Sequence, residues 1–387
     1  MANESSFVSG FTTTGSTILE NVEALPKSLL FWRSSTHFIG GLGVVVFLLL
    51  IIPNSNPIKL RLANMELSSL SKGGYSTRTN KTVYIFAYVY IAICLLAFIA
   101  YLLAGMGMFD AICHAFSVCA TGGFSTKNLS IAAFDSRAVE LITMVCMLLS
   151  SLHFGLLFLC VVNLSFKPLD NPIVKFYLGS LAVFIMAVSI SFKVQGVFGT
   201  WGEAFWNGAF QSICISSTSG FAIADNAAWP MLPNTLMLIL GVMCGCAGST
   251  TGGIKADRIL VLFKCIGRQL GRILHPSSVN EVRMADRIIR DEDVIPQILY
   301  IAMYFVLMAL SVVLCMVAGV NAHSAFAGSL ASIGNVGPAI MELGGMGNYN
   351  CVPEFGKFVF TMDMFFGRIE IYPILAVVAM IFDGRKR

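Results

Sequence analysis

The chain has 387 residues, a formal net charge of +4, 56% hydrophobic residues and only 12% charged ones, with a mean hydropathy of +0.79. A soluble domain carries about 25% charged residues, so a soluble globular protein is excluded, and so small a positive excess gives no reason to expect a nucleic-acid partner. Several apolar stretches are long enough to cross a hydrocarbon core of roughly 30 Å as helices, which makes this a polytopic membrane protein in contact with lipid.

The start, "MANESSFVSG", has neither the basic n-region nor the apolar h-region of a signal peptide. Spans are predicted near 28–52, 82–104, 138–164, 172–192, 232–265, 294–320 and 356–382. Shorter apolar stretches near 107–119, 202–216 and 322–333 are too short to cross, and each runs into a patch rich in Gly, Ser and Thr. Such lengths suggest re-entrant segments. Irregular backbone at membrane depth is tolerated only where it is buried in protein or lines a wet cavity.

In the first span Arg33 and His37 are four apart, hence on one helix face, and packing at an interfacial helix start is their expected role. Gly40, Gly41 and Gly43 are expected to allow close helix contact. The 53–81 connection carries Lys59, Arg61, Lys72, Arg78 and Lys81. The 264–293 connection carries Lys264, Arg268, Arg272, Arg283, Arg287 and Arg290, and the chain ends in "GRKR". By the positive-inside rule these face the cytoplasm, which puts the short apolar stretches on the opposite side. The 264–293 connection is either a docking surface or a plain topogenic cluster.

Most of the 11 cysteines lie in apolar stretches, where a free thiol behaves as a small hydrophobe. Cys244 and Cys246 lack the second ligand pair of a zinc site. His114, His153 and His323 have no ligand spacing and read as ordinary buried or pore-helix residues. Nor does the chain hold an HExxH motif, a serine–histidine pairing or paired carboxylates on one face, so it is not an enzyme.

One pattern repeats. "TTTGST" (12–17), "ATGGFS" (120–125), "STSGFA" (217–222) and "GNVGPA" (334–339) share T-x-G, with Asn replacing Thr in the last. The segments are Thr13-Thr14-Gly15, Thr121-Gly122-Gly123, Thr218-Ser219-Gly220 and Asn335-Val336-Gly337. Each occupies the same place in a unit of helix, short re-entrant helix, loop and helix. The units are residues 1–81 (loop and second helix only), 82–171, 172–293 and 294–387. A glycine permits positive φ, so consecutive carbonyls can point the same way. Four such loops on one axis would ring a monovalent cation with oxygens that replace its hydration shell. With no Asp or Glu at these positions, a divalent-cation filter is disfavoured.

The fifth span is interrupted by "GCAGSTTGG" (245–253). Small residues of low helix propensity such as Gly245, Ala247, Gly248, Ser249, Thr250, Thr251, Gly252 and Gly253 are expected to break the helix in two. The freed backbone groups then need partners, most readily water in a pore. A flexible loop there is a candidate gate, with Ser249, Thr250 and Thr251 placed to hydrogen-bond across the cavity. Small-residue helix packing is the competing explanation. Arg368 lies deep in the last span, and charged groups at that depth face a cavity or a partner. It either lines the pore or pairs with Asp363 or an acid on another helix.

"SGFTTTGST", "WRSSTHFIGGLGVVVFLLLIIP", "CATGGFSTKNLSIAAFDS", "CGCAGSTTGGIK" and "FFGRIEIYPIL" together resemble the TrkH family of potassium uptake proteins, grouped with the KtrB and HKT transporters. The resemblance runs from Ser9 to about Ile381. It implies an all-α membrane fold of four M1–pore helix–M2 repeats with pseudo-fourfold symmetry around a central pore, in a homodimer of the bacterial inner membrane. It implies K⁺ as the transported ion, held at the four segments above, with no organic cofactor. It also implies regulation by a cytosolic nucleotide-binding ring of the TrkA (RCK) type. A glycine in all four filter segments goes with K⁺ permeation in the family. The resemblance places Arg368 beneath the filter against the intramembrane loop, which it identifies as the gate. Family members carry further N-terminal helices, so the first repeat is expected to be incomplete and its filter loop to lack a pore helix. A chain truncated in this way would be a non-functional fragment.

Two modes of transport remain open at this level. A channel-like pore would be driven by the membrane potential, at about 2.3 kcal/mol per unit charge per 100 mV. A symporter would couple K⁺ to H⁺ or Na⁺. No intramembrane Asp/Glu relay stands out near the filter segments, which disfavours tight proton coupling.

Overall fold

The computed structural model describes residues 2–50, 79–227, 229–275, 283–284, 287–288, 291–339, 343–345, 347–369, 371–372 and 374. In chain order the α-helices are α1 (Ala2–Phe11), α2 (Lys27–Leu50), α3 (Thr79–Leu103), α4 (Met108–Cys119), α5 (Arg137–Ser151) and α6 (Phe154–Val162). They continue with α7 (Pro172–Val194), α8 (Trp201–Ser216), α9 (Met231–Val242), α10 (Ala256–Leu274), α11 (Asp291–Val317), α12 (Ala322–Ile333) and α13 (Glu354–Arg368). Among the described residues, α3, α7 and α11 are long and apolar enough to cross a membrane, as is the bent pair α5–α6 taken as one span. Their outward side chains are apolar too: Leu95, Leu96, Ile99, Val183, Met186, Val306 and Val313 are all exposed. That is the surface a lipid-facing helix presents, since hydrocarbon asks for no polar face.

The short helices α4, α8 and α12 fall on the three stretches judged too short to cross. Two of them start on side-chain caps. Thr200 accepts from the Glu203 N–H at the start of α8, and Asn321 accepts from the His323 N–H at the start of α12. Each cap satisfies a donor that the helix start leaves without a partner. Asn171 caps α7 in the same way, with Pro172 at the first helical position, where its missing N–H costs nothing.

Several expectations need correction. The first filter segment does have a helix before it: α1 fills Ala2–Phe11, because nine residues before Phe11 suffice for more than two turns. The span predicted over 138–164 is not one helix. It bends by 102° between α5 and α6. The all-α description holds for the architecture but omits two-residue ladders: β1 (Met243–Cys244) pairs in parallel with β2 (Ile254–Lys255), and β3 (Arg283–Met284) pairs antiparallel with β4 (Arg287–Ile288). Gly40 and Gly41 do permit close approach, to the Phe11 backbone and to Ala120, whereas a side chain at Gly43 would meet nothing within 4 Å. The basic stretch 53–78, most of the 276–290 connection, Glu370 and the terminal "GRKR" lie outside the described residues.

Packing sets α4 against α2 and α3, α8 against α7 and α9, and α12 against α11 and α13. Tyr90 and Tyr101 of α3 are fully buried; Tyr90 donates to the Phe38 carbonyl of α2 at 2.9 Å and Tyr101 bonds Thr143 of α5 at 2.9 Å. Tyr177 of α7 donates to Ser151 and meets Ser216 of α8, both at 3.1 Å. A buried phenol needs such a partner, and each fixes the height of one helix against the next.

Candidate functional site

The four short helices end alike. Thr13 N–H donates to Gly10 O (3.1 Å) and Thr14 N–H to Ser9 O (2.9 Å). The same pair of bonds recurs from Thr121 and Gly122 to Val118 and Ser117, from Thr218 and Ser219 to Ile215 and Cys214, and from Asn335 and Val336 to Ser332 and Ala331. This is a Schellman ending, which needs a left-handed residue just past the helix. Here that residue is Thr13 (φ 52°), Thr121 (φ 54°), Thr218 (φ 53°) or Asn335 (φ 53°). Asparagine accepts this conformation readily; a β-branched threonine does not, at roughly 1–2 kcal/mol each. Strain repeated at three equivalent places marks a segment whose shape is imposed by its surroundings.

Two residues on, Gly15 (φ 84°), Gly123 (φ 78°), Gly220 (φ 73°) and Gly337 (φ 88°) are also left-handed. Here glycine is required twice over. A β-carbon on Gly15 would collide with the Gly122 carbonyl oxygen, one on Gly123 with that of Ser219, one on Gly220 with that of Val336, and one on Gly337 with that of Thr14. First meets second, second meets third, third meets fourth and fourth meets first, so the segments form a closed ring. All twelve residues predicted for the ion site are brought together. The ring carries backbone carbonyls and no carboxylate, and four helix C-termini are aimed at it, each worth roughly half a negative charge. Such an arrangement suits a dehydrated monovalent cation.

Directly against this ring lies the 245–253 segment. The helix does break, into α9 and α10, with β1 and β2 closing the neck of the loop. Gly248 (φ 76°) and Gly253 (φ 59°) turn it. Thr121 Oγ1 donates to Thr250 O at 3.1 Å, the Gly252 N–H donates to Thr218 Oγ1 at 3.1 Å, and Thr250 Oγ1 donates to Cys119 O at 3.1 Å. A side chain on Gly252 would strike Asn335. Ser249 and Thr251 pair with each other through their hydroxyls at 2.7 Å, and Lys255 Nζ donates to Thr251 Oγ1 at 3.1 Å. Thus Thr121 and Thr218, which open the second and third T-x-G segments, hold the loop. In the first segment, Thr12 and Thr14 hydroxyls pair at 2.8 Å.

The loop also explains the bend between α5 and α6. Cys246 N–H donates to Ser151 O (2.9 Å), Thr250 N–H to Ser150 O (3.3 Å), and Phe154 N–H to Gly248 O (3.0 Å). Backbone groups released by the kink are therefore taken up by the loop, as membrane burial demands. His153 sits at the corner, its Nδ1 accepting from the Gly155 N–H at 3.0 Å, and its ring fills the space a Gly248 side chain would need.

Arg368, at the last turn of α13, is buried. Its guanidinium donates to Thr250 O in the loop, to Gly40 O of α2 at 3.2 Å, and more weakly to Gly41 O at 3.5 Å. Asp363 is not its partner: Ser311 of α11 donates to Asp363 Oδ1 at 2.5 Å. Thr250 O therefore accepts from both the second filter segment and Arg368.

Among the residues at the site, Tyr349 carried no signal in the sequence. Tyr349 donates to Gly337 O at 2.7 Å and Ser16 Oγ donates to the same oxygen at 3.2 Å. Burial pushes the Tyr349 phenol above the usual tyrosine range, so it remains a donor at neutral pH. Asn335 Nδ2 bridges Thr14 Oγ1 (2.9 Å) and Met364 O (3.0 Å), which ties the fourth segment to the first and to α13. On the far side of the ring from the loop opens a vestibule lined by Gly15, Gly123 and Gly220 together with Glu20, Arg33, Lys127 and Tyr349. Sequence could have flagged Arg33 as a charge near a filter only if the fold were already known.

The chain matches the family model TrkH, described as a cation transport protein, over residues 5–385. It is 32% identical over 373 residues to a Trk system potassium uptake protein TrkH of Halomonas elongata, covering 95% of this chain and 76% of that one. It is likewise 32% identical over 385 residues to the TrkH of Vibrio parahaemolyticus, covering 97% and 78%. The crystal structure of the potassium transporter TrkH from Vibrio parahaemolyticus superposes with a TM-score of 0.85 at 30% identity, over 96% of this chain and 77% of that one.

Proposed function

The chain belongs to the TrkH family of cation transport proteins, and on that premise we propose that it conducts K⁺ into the cell through the ring of Gly15, Gly123, Gly220 and Gly337. It is a multi-pass protein of the bacterial inner membrane and a transporter, not an enzyme. The observation that carries the proposal is the closed cycle of carbonyl-to-glycine contacts around one axis. Thr13–Gly15, Thr121–Gly123, Thr218–Gly220 and Asn335–Gly337 act as the selectivity filter, and the four units divide the chain at residues 81, 171 and 293.

The 245–253 loop acts as the gate. Its bonds to Thr121, Thr218 and Arg368 cost nothing to hold when closed and must be exchanged for water when K⁺ passes. Arg368 adds a fixed positive charge beneath the filter, which raises the barrier to cations until the loop moves. A cytosolic nucleotide-binding ring of the TrkA type supplies the bias that moves it, in a homodimer. The test is K⁺-dependent growth of cells that lack their own K⁺ uptake. The whole protein restores growth at low K⁺; a Gly123→Ala version does not. Restoration by both would refute the filter assignment.

A second reading, coupled symport, draws on the buried Asp363 carboxyl bonded to Ser311. Reversal potentials measured across a proton gradient separate it from a pore, since only a coupled mechanism shifts with pH.

A further inference from the structure

The filter segment of the second repeat is followed by Phe124, which is held by α2 of the neighbouring repeat. The His37 imidazole stacks on the Phe124 ring, with centroids 4.0 Å apart and planes 16° apart. The Arg33 guanidinium, one turn earlier, lies 4.2 Å from the centre of the same ring. Both distances are contact distances, so Phe124 is held by a ring and a cation from one helix face.

The stack is itself anchored. His37 Nδ1 bonds Ser117 Oγ at 3.0 Å, in the last turn of α4. His37 is fully buried, and its ring occupies the volume that a side chain on Gly122, the middle residue of the segment, would take. Arg33 reaches back to the stretch just past the first filter segment, where Nη2 approaches Thr17 Oγ1 at 3.5 Å. Three residues on from Arg33, Thr36 packs against Gly10 of α1 so closely that Gly10 has no room for a β-carbon. One face of α2 therefore touches α1, α4, the stretch after the first segment and the second segment.

The other segments are held differently. Phe221, after Gly220, faces His114 in a looser pair, with centroids 6.1 Å and planes 25° apart against 4.0 Å and 16° at Phe124. Ser16 and Pro338 follow the remaining glycines, and there the polar bonds to Gly337 O serve.

From this geometry, and resting on the assignment of the ring as the filter, we infer that Arg33, Phe124 and His37 form a clamp that sets the spacing of the first and second filter segments and so discriminates K⁺ from the smaller Na⁺. They are positioning residues; none of the three is placed in the ring itself. On a size-fit account of selectivity, a ring that relaxes inward closes on a smaller ion and a ring held at fixed width does not, so a brace outside the filter acts on selectivity. Aromatic and cation contacts of this kind bias a local spacing.

The experiment measures K⁺ and Na⁺ uptake by the whole protein reconstituted in liposomes, reported as the K⁺/Na⁺ ratio beside total K⁺ flux. Phe124→Leu keeps a buried apolar side chain and loses the stack; its ratio is expected to fall at least fivefold while K⁺ flux persists. Phe124→Tyr keeps the stack and is expected to stay within twofold of the parent. Should Phe124→Leu fail to reach the membrane, His37→Gln reads the same contact, with an amide in place of the ring and an expected threefold fall. A parent protein that takes up no K⁺ would refute the filter reading. A K⁺-selective parent whose Phe124→Leu and His37→Gln versions both keep its ratio would overturn the clamp alone.

Discussion

Replacing Arg368 with glutamine tests the gate through one countable bond. Among the described residues, the guanidinium donates to Thr250 O of the loop and to Gly40 O and Gly41 O of α2. A hydrogen bond from a charged donor is worth about 1.5–3 kcal/mol. Losing the Thr250 bond should therefore raise the open-to-closed ratio of the loop roughly 10- to 150-fold, at about 1.4 kcal/mol per tenfold. The glutamine side chain is shorter and is not expected to restore the bond. Arg368→Lys keeps one charged donor and should fall between the two. The readout is single-channel open probability in planar bilayers without a regulatory partner, with the K⁺/Na⁺ ratio as control. Open probability should climb by at least tenfold from a low baseline while the ratio is unchanged. A folded Arg368→Gln protein with open probability within twofold of the parent would refute the reasoning, because the loop would then be closed by something other than this contact.

Thr250→Val removes a hydroxyl that donates to Cys119 O and Ser150 O while keeping the side chain's size; closed-state stability should drop by about 1–2 kcal/mol, seen as a higher basal K⁺ leak from loaded liposomes. Gly337→Ala forces a β-carbon onto Thr14 O at φ 88°, and K⁺-dependent growth of uptake-deficient cells should be abolished. Tyr349→Phe leaves Gly337 O with Ser16 as donor; a loss of about 1 kcal/mol at one buried bond should appear as a weaker apparent K⁺ affinity in uptake assays, with growth at high K⁺ intact. Thr200→Ala deletes the cap of α8 and should lower thermal stability in detergent by about 1 kcal/mol, with the K⁺/Na⁺ ratio untouched.

The membrane class, the three re-entrant helices, the repeated T-x-G segments and the break in the fifth span are all legible in the order of residues alone. Each follows from local chemistry: hydropathy over a span, length against bilayer thickness, and the poor helix propensity of Gly, Ser and Thr. The role of glycine at four places could be read too, since positive φ is a local demand. The relations between distant residues come from the folded chain. Thr121, Thr218 and Arg368 bond the loop from three different repeats. The bend at Leu152–His153 carries no helix breaker of its own; Ser150 and Ser151 carbonyls are released there because the loop satisfies them. His37 and Phe124 are 87 positions apart and form one stack. Periodicity records which face of a helix is apolar, but not which neighbour that face will meet; in a membrane interior without water, the choice of partner is made by the backbone and side-chain groups that would otherwise go without a hydrogen bond.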